Sequence, residues 1–309
     1  MSETKTSPSL ESTLKSLDTE EFIDIHFYRP IGYRWALFFN RFGVSPNSIT
    51  IASIFIGIAA GICFYFQSLT INIVGMLLLI WANSYDSADG QLARMTGKKT
   101  PLGRILDGFS GDLWFISIYA AICLRLTPEW GIWIWLLAAT TGFFHSKQAA
   151  MADYYRNIHL LFLKGKAGSE LSHSPQLKEN YKKMSWKRDF IYKLFETFYI
   201  NYTVGQEKLT PKFQRMMQVI RTKYHDQAPE WFRTAFRRKS LPLMKYTNML
   251  SFNTRVIALF TSLFIGKPWL YFLFELTVLN AMLVYMIYTH ERFCAVFTRE
   301  LTKESPAEA

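Results

Sequence analysis

The chain has 309 residues, half of them hydrophobic and 17% aromatic, and it carries a net charge of +11 although only 19% of its residues are charged. That balance argues against an ordinary soluble domain and fits a membrane protein with basic segments outside the bilayer. Cys63, Cys123 and Cys294 lie far apart in apolar runs, which gives no disulfide framework and no zinc spacing and reads as small buried hydrophobes.

In chain order, residues 1–17 are rich in Ser, Thr, Glu and Lys and are expected to be mobile. They lack a basic stretch running straight into an apolar core, so no cleaved signal peptide is expected. The mixed aromatics and arginines from Phe22 to Arg41 suggest a helix in the membrane interface, with a helix packed on the domain as the alternative. Six apolar stretches follow: Ser48 to Gln67, Leu69 to Ala82, Leu106 to Leu126, Trp130 to Met151, Leu250 to Ile265 and Trp269 to Thr289. Each approaches the ~20 residues that a bilayer helix needs. The expected fold class is therefore an all-α integral membrane protein with six transmembrane helices, an N-terminal interfacial helix and a cytosolic helical insert. Its divisions are a tail and interfacial helix over 1–43, four membrane helices over 44–154, the insert over 155–247, two membrane helices over 248–292 and a tail over 293–309.

Loop charge gives the orientation. The linkers near 68, 128 and 267 carry only Glu129 and Lys267, while the N-terminus, the 94–104 linker and the 152–248 segment hold nearly all the Lys and Arg. The positive-inside rule then places both termini and residues 86–112 on the cytoplasmic side. Residues 155–247 hold 19 basic against 7 acidic residues, a net +12, with patches such as Phe190 to Tyr199. This insert either lies on anionic lipid or is a solvated segment that aids topology. Nothing in it matches a groove-reading module, so no nucleic-acid partner is expected.

Residues 86–112 are unusual for so apolar a chain. They read Asp86-x-x-Asp89-Gly90-x-x-Ala93-Arg94, eight residues, then Gly103-x-x-x-Asp107, with Asp112 five residues further on. Carboxylates in or beside membrane segments are costly and mark functional sites. Asp86 and Asp89, three residues apart, share a helix face. With Asp107 brought from the next helix they would form an all-oxygen nest for a hard divalent cation. Arg94, with Lys98, Lys99, Thr100 and Arg104 nearby, offers donors and positive charge suited to a metal-bridged pyrophosphate.

This run resembles the signature of the CDP-alcohol phosphotransferase family at Asp86, Asp89, Gly90, Ala93, Arg94, Gly103 and Asp107, and Val44 to Thr50 resembles the segment that leads into the family's first core helix. The similarity covers about 44–150. It implies transfer of a substituted phosphoryl group from CDP-diacylglycerol to a small polar alcohol acceptor, with release of CMP. It also implies two Mg²⁺ or Mn²⁺ ions held by Asp86, Asp89, Asp107 and Asp112, with Asp112 and Asp107 catalytic and Asp112 as the base. Asn47, Thr50, Gly90, Arg94 and Thr100 fall where the family contacts the CDP-lipid, and a homodimer is implied. The departure is Gly111 where the family has its last aspartate. Five residues beyond Asp107 is about 140° off its face, so Asp112 needs a π-bulge near Gly108 and Gly111 to return, or else has another role.

Three cations, Lys147, Arg156 and Arg255, lie near helix ends in apolar surroundings. Together they are expected to clamp an anionic acceptor; family members that use a phosphorylated polyol have such a basic pocket, so the resemblance implies inositol phosphate or glycerol phosphate ahead of serine, inositol, choline or ethanolamine. Each alone reads equally well as snorkelling or ion-paired. His145 reads as a hydrogen-bonded core residue, and Glu275 and Asn280 as polar links between helices or a dimer contact. A transporter would spread its charges over the spans, and a non-catalytic scaffold would bind through the insert.

Overall fold

The computed structural model describes residues 16–98 and 100–303, so most of the polar start and Lys99 lie outside it. The described residues form helices and turns, with no strand among them. In chain order the helices are α1 (Arg29–Arg41), α2 (Pro46–Cys63), α3 (Leu69–Thr96), α4 (Pro101–Trp130), α5 (Trp133–Lys164), α6 (Ser174–Lys183), α7 (Phe190–Leu209), α8 (Pro211–Tyr224), α9 (Glu230–Met249), α10 (Phe252–Phe264), α11 (Trp269–Phe274) and α12 (Asn280–Lys303). Single π-helical stretches precede α1, at Asp24–Tyr28, and join α11 to α12, at Glu275–Leu279.

The chain divides into two compact units, Met1–Gly142 with Val256–Phe274, and Phe143–Arg255 with Glu275–Ala309. In the first, the acidic motif spans the end of α3 and the start of α4. Ser45 caps α2 by accepting from the Ser48 amide at 3.2 Å, and Thr100 caps α4 by accepting from the Gly103 amide at 2.9 Å. Each is followed by proline at the first helical position, where the missing amide costs nothing. Gly97, in the left-handed region at φ 68°, ends α3.

α2 and α4 meet at Gly57, where any Cβ would overlap the Trp114 ring. The absent side chain lets the helices close, and Trp114 Nε1 then donates to the Ser53 carbonyl at 3.1 Å. α1 packs on α3: Ala36, Ala88 and Leu92 join Ile49 in a small core, and Gln91 donates to the Arg29 carbonyl at 3.0 Å. α1 leaves Leu37 and Phe38 exposed, and Phe42 just past its end is exposed too.

In the second unit, α8, α9 and α12 share an aromatic core of Phe213, Phe232, Phe236 and Phe297 around His290. Glu291 of α12 accepts from the Lys212 and Phe213 amides at 2.7 and 3.1 Å. It caps α8, whose own Thr210 supplies no side-chain cap. The basic segment 155–247 is helical, as expected.

Among the described residues, four segments are long and apolar enough to cross a bilayer: Pro46–Cys63, Leu69–Thr96, Ile105–Trp130 and Trp269–Lys303. The fourth and fifth of the six expected spans are not among them. α5 is long, but it carries His145, Lys147, Asp153 and Arg156 along its length. α10 has 13 residues, about 20 Å of helix against a ~30 Å hydrocarbon core. α4 runs through Pro128 to Trp130, which moves the turn expected near 128 to Gly131 and Ile132.

Candidate active site

Asp86, Asp89 and Asp107 come together as the motif spacing predicts. Each offers a carboxylate oxygen, and these oxygens lie within 4.8 Å of one another. Asp89 is buried, Asp86 half-buried and Asp107 exposed, so the group opens on the Asp107 side. Two hydroxyls orient it. Ser110 Oγ donates to Asp86 Oδ1 at 2.8 Å, and Thr50 Oγ1 lies 2.5 Å from Asp89 Oδ2. Thr50 has one hydroxyl hydrogen, and the short contact with a carboxylate takes it in preference to the Pro46 carbonyl at 3.2 Å. Thr50 therefore positions a carboxylate, a role the sequence did not assign to it. Ser110 was missed altogether, although its place three residues after Asp107 was the available signal.

Three carboxylates at this separation repel one another strongly in a partly buried setting unless a cation lies between them. An all-oxygen donor set pre-oriented by hydroxyls fits a hard divalent ion such as Mg²⁺ or Mn²⁺. The anion side is also prepared. The Nε and Nη2 of Arg94 are buried and find no hydrogen-bond partner among the described residues. Leaving such donors unpaired costs about 1–3 kcal/mol each, a cost that a water or an oxyanion beside Arg94 would remove. The same guanidinium lies over Gly90, with Nη1 3.4 Å from where a Cβ would be. Arg29, paired with Glu20 through Nε and Nη2 at 3.0–3.1 Å, acts electrostatically on both Asp86 and Arg94. No local pattern marks this pair, which is 57 residues or more from the motif.

Asn47 and Thr100 meet at the mouth of the motif, with Asn47 Nδ2 3.4 Å from Thr100 Oγ1. Gly103 is the reason they fit: a Cβ there would come within 2.6 Å of Asn47 Oδ1.

Asp112 does not join the group. The bulge expected at Gly108 to Gly111 is absent, since α4 is regular from Pro101 to Trp130, and the π-helical stretches occur elsewhere. Asp112 is exposed and keeps its phase about 140° from Asp107.

Each of the three cations expected to clamp an acceptor has contacts of its own. Arg255 is 1% exposed and lies in a closed network of the second unit. Its Nη1 is 2.8 Å from Glu275 Oε2 and 2.9 Å from His145 Nδ1. Its Nη2 donates to Gln148 Oε1 and the Leu250 carbonyl, and its Nε to that same carbonyl. His145 Nδ1 is also 3.1 Å from Glu275 Oε2 and cannot both donate to that carboxylate and accept from Arg255, so four of the five N–H groups have a settled acceptor inside this enclosed network. Gln148 also donates to Asn280 Oδ1 at 2.7 Å and to the Glu275 carbonyl at 3.0 Å, where the π-helical stretch begins. Glu275, Asn280 and His145 are therefore helix-linking residues. Lys147 and Arg156 stand nine residues apart on α5, half a turn around its axis from each other. Lys147 Nζ sits 5.6 Å from the Phe143 ring centroid. Arg156 Nη2 donates to Asn248 and Ser251 at 3.3 and 3.0 Å, while its Nε is buried without a partner among the described residues.

Residues 43–158 match the family model described as CDP-alcohol phosphatidyltransferase. Among curated proteins, an uncharacterized protein of Aquifex aeolicus is 34% identical over 123 residues, covering 38% of this chain and 59% of that protein. The archaetidylinositol phosphate synthase of Pyrococcus horikoshii is 34% identical over 90 residues, covering 29% and 46%. The bifunctional IPC transferase and DIPP synthase of Aquifex aeolicus is 26% identical over 98 residues, covering 32% and 22%. The chain thus spans less than two thirds of the length of each of these relatives. The matched region contains the three grouped carboxylates, Arg94 and both helix caps.

Proposed function

We propose that this protein transfers a phosphatidyl group from CDP-diacylglycerol to the hydroxyl of a phosphorylated polyol, with release of CMP. The observation that carries the reading is the pairing of three grouped carboxylates with the unpartnered, buried donors of Arg94. One side suits a divalent cation and the other a phosphate. A divalent ion held by Asp86, Asp89 and Asp107 would neutralise the pyrophosphate and the charge that builds up on transfer.

The chain's own residues supply the rest. Thr50 and Ser110 fix the carboxylates, so little reorganisation accompanies the reaction. Arg94 binds a phosphate oxygen of the CDP-lipid, and Asn47 and Thr100 border the same mouth and contact its nucleotide half. Asp107, the exposed carboxylate of the group, is the group placed to take the acceptor's proton. Asp112 lies on another face of α4 and is not assigned that role. For the acceptor, Arg156 is favoured over Lys147 and Arg255, because it alone keeps a buried, unpartnered donor. A phosphorylated polyol, inositol phosphate first, agrees with one relative's being an archaetidylinositol phosphate synthase. The site faces the cytoplasm in a six-span multi-pass protein embedded in membrane lipid, and the protein is a homodimer.

The test is metal-dependent CMP release from CDP-diacylglycerol by purified protein offered inositol phosphate, glycerol phosphate, serine, inositol, choline and ethanolamine in turn. Release with a phosphorylated polyol is expected, with loss of more than about a hundredfold in Asp107→Asn at normal membrane insertion. Release with serine alone would overturn the acceptor. Near-normal turnover of Asp107→Asn would overturn the site.

A further inference from the structure

α7 is built inside out. Its fully buried residues are all polar: Lys193, Thr203 and Gln206. Lys193 Nζ donates to the Met184 carbonyl at 2.8 Å and lies 4.5 Å from the Tyr181 ring centroid. Gln206 donates to the Ala150 carbonyl of α5 at 2.8 Å. The opposite side of the first turns carries Phe190, Ile191, Leu194 and Phe198, of which Phe190, Ile191 and Phe198 are 57%, 56% and 55% exposed. Positions 190, 194 and 198 follow the i, i+4 spacing that makes one stripe along a helix. A helix of a water-soluble domain turns such a stripe toward its core. Here the core side is hydrogen-bonded and the outer side is oily, so the medium outside α7 is not water.

Charge says what the medium is. Lys182, Lys183, Lys187 and Arg188, all exposed, precede the stripe, and the exposed Trp186 stands among them. A twofold contact with a second copy would set this cationic cluster against itself. A bilayer surface meets both halves: acyl chains take the stripe, anionic headgroups take the cations, and a tryptophan sits at the boundary. The same unit contains most of the apolar segment Trp269–Lys303, which is long enough to cross a membrane.

We infer that the Trp186–Phe198 segment is a lipid-binding foot, with the Phe190, Ile191, Leu194 and Phe198 face set into the headgroup–acyl boundary of an anionic leaflet.

The experiment uses the full chain in nanodiscs of phosphatidylcholine with or without phosphatidylglycerol. Leu194→Cys, Phe198→Cys and, as a control on the exposed surface of α6, Glu179→Cys each carry a polarity-sensitive label, with the signal of the unsubstituted protein subtracted. Brominated acyl chains should quench the labels at 194 and 198 at least about twofold more than the label at 179. The difference should grow with phosphatidylglycerol. It should shrink when Lys182→Gln, Lys183→Gln, Lys187→Gln and Arg188→Gln are combined. Quenching of 194 and 198 by aqueous iodide at the level of 179 would overturn the inference. Protection from both quenchers, with cross-linking between copies through these positions, would overturn it in favour of a subunit interface.

Discussion

A Cβ added at Gly111 meets nothing within 4 Å, and this position is the one at which the acidic motif is short of a carboxylate. Gly111→Asp would stand four residues beyond Asp107, about 40° from its face, whereas Asp112 stays about 140° away. The substitution is expected to fold normally and to tighten Mn²⁺ binding at least about threefold, read from the free-ion signal in electron paramagnetic resonance. Asp112→Asn should lose less than about tenfold of CMP release, well short of the loss in Asp107→Asn. If Asp112→Asn and Asp107→Asn were equally inactive, Asp112 would have to reach the site by a movement of α4.

Helices in this chain are joined by buried polar groups as much as by apolar packing. Arg255 of α10 and Glu275 beside α11 form a fully buried ion pair, closed by His145 and Gln148 of α5. Removing one partner of such a pair leaves an uncompensated charge, at a cost of about 3–5 kcal/mol. Arg255→Ala should therefore lower the thermal midpoint of the detergent-solubilised protein and its yield, whatever the acceptor. Arg156→Ala touches no such pair. It should leave the midpoint nearly unchanged and raise the KM for the phosphorylated acceptor by about tenfold or more, with little effect for an uncharged one. The opposite pattern, a stable Arg255→Ala with a raised KM, would restore Arg255 to the acceptor site.

Topology is decided at the scale of the whole molecule. The four segments that qualify by length and composition would carry the 155–247 insert to the side opposite the 94–104 loop. The insert's net charge of +12 opposes that arrangement under the positive-inside rule. Two further crossings, α5 and α10, would return it to the side of the acidic motif, and this is why six spans are proposed. The two plans differ in one measurable respect. Cysteines placed at Lys98 and Lys187 should be modified by a membrane-impermeant maleimide from the same side of sealed vesicles. Modification from opposite sides would leave only four crossings.

The sequence by itself determined the helical class, four of the apolar segments and the shared helix face of Asp86 and Asp89. Each of these rests on local rules: composition, periodicity, and a fixed rotation per residue. Only the tertiary structure decided which polar groups are already taken. Arg255 had no assigned partner because Glu275 and His145 are 20 and 110 residues away, and Thr50 was not linked to Asp89 because it is 39 residues on. The regular phase of α4, which keeps Asp112 out of the group, and the outward stripe of α7 belong to the same category. A helix's phase and its exposed face depend on what packs against it, and no window of sequence contains its neighbours.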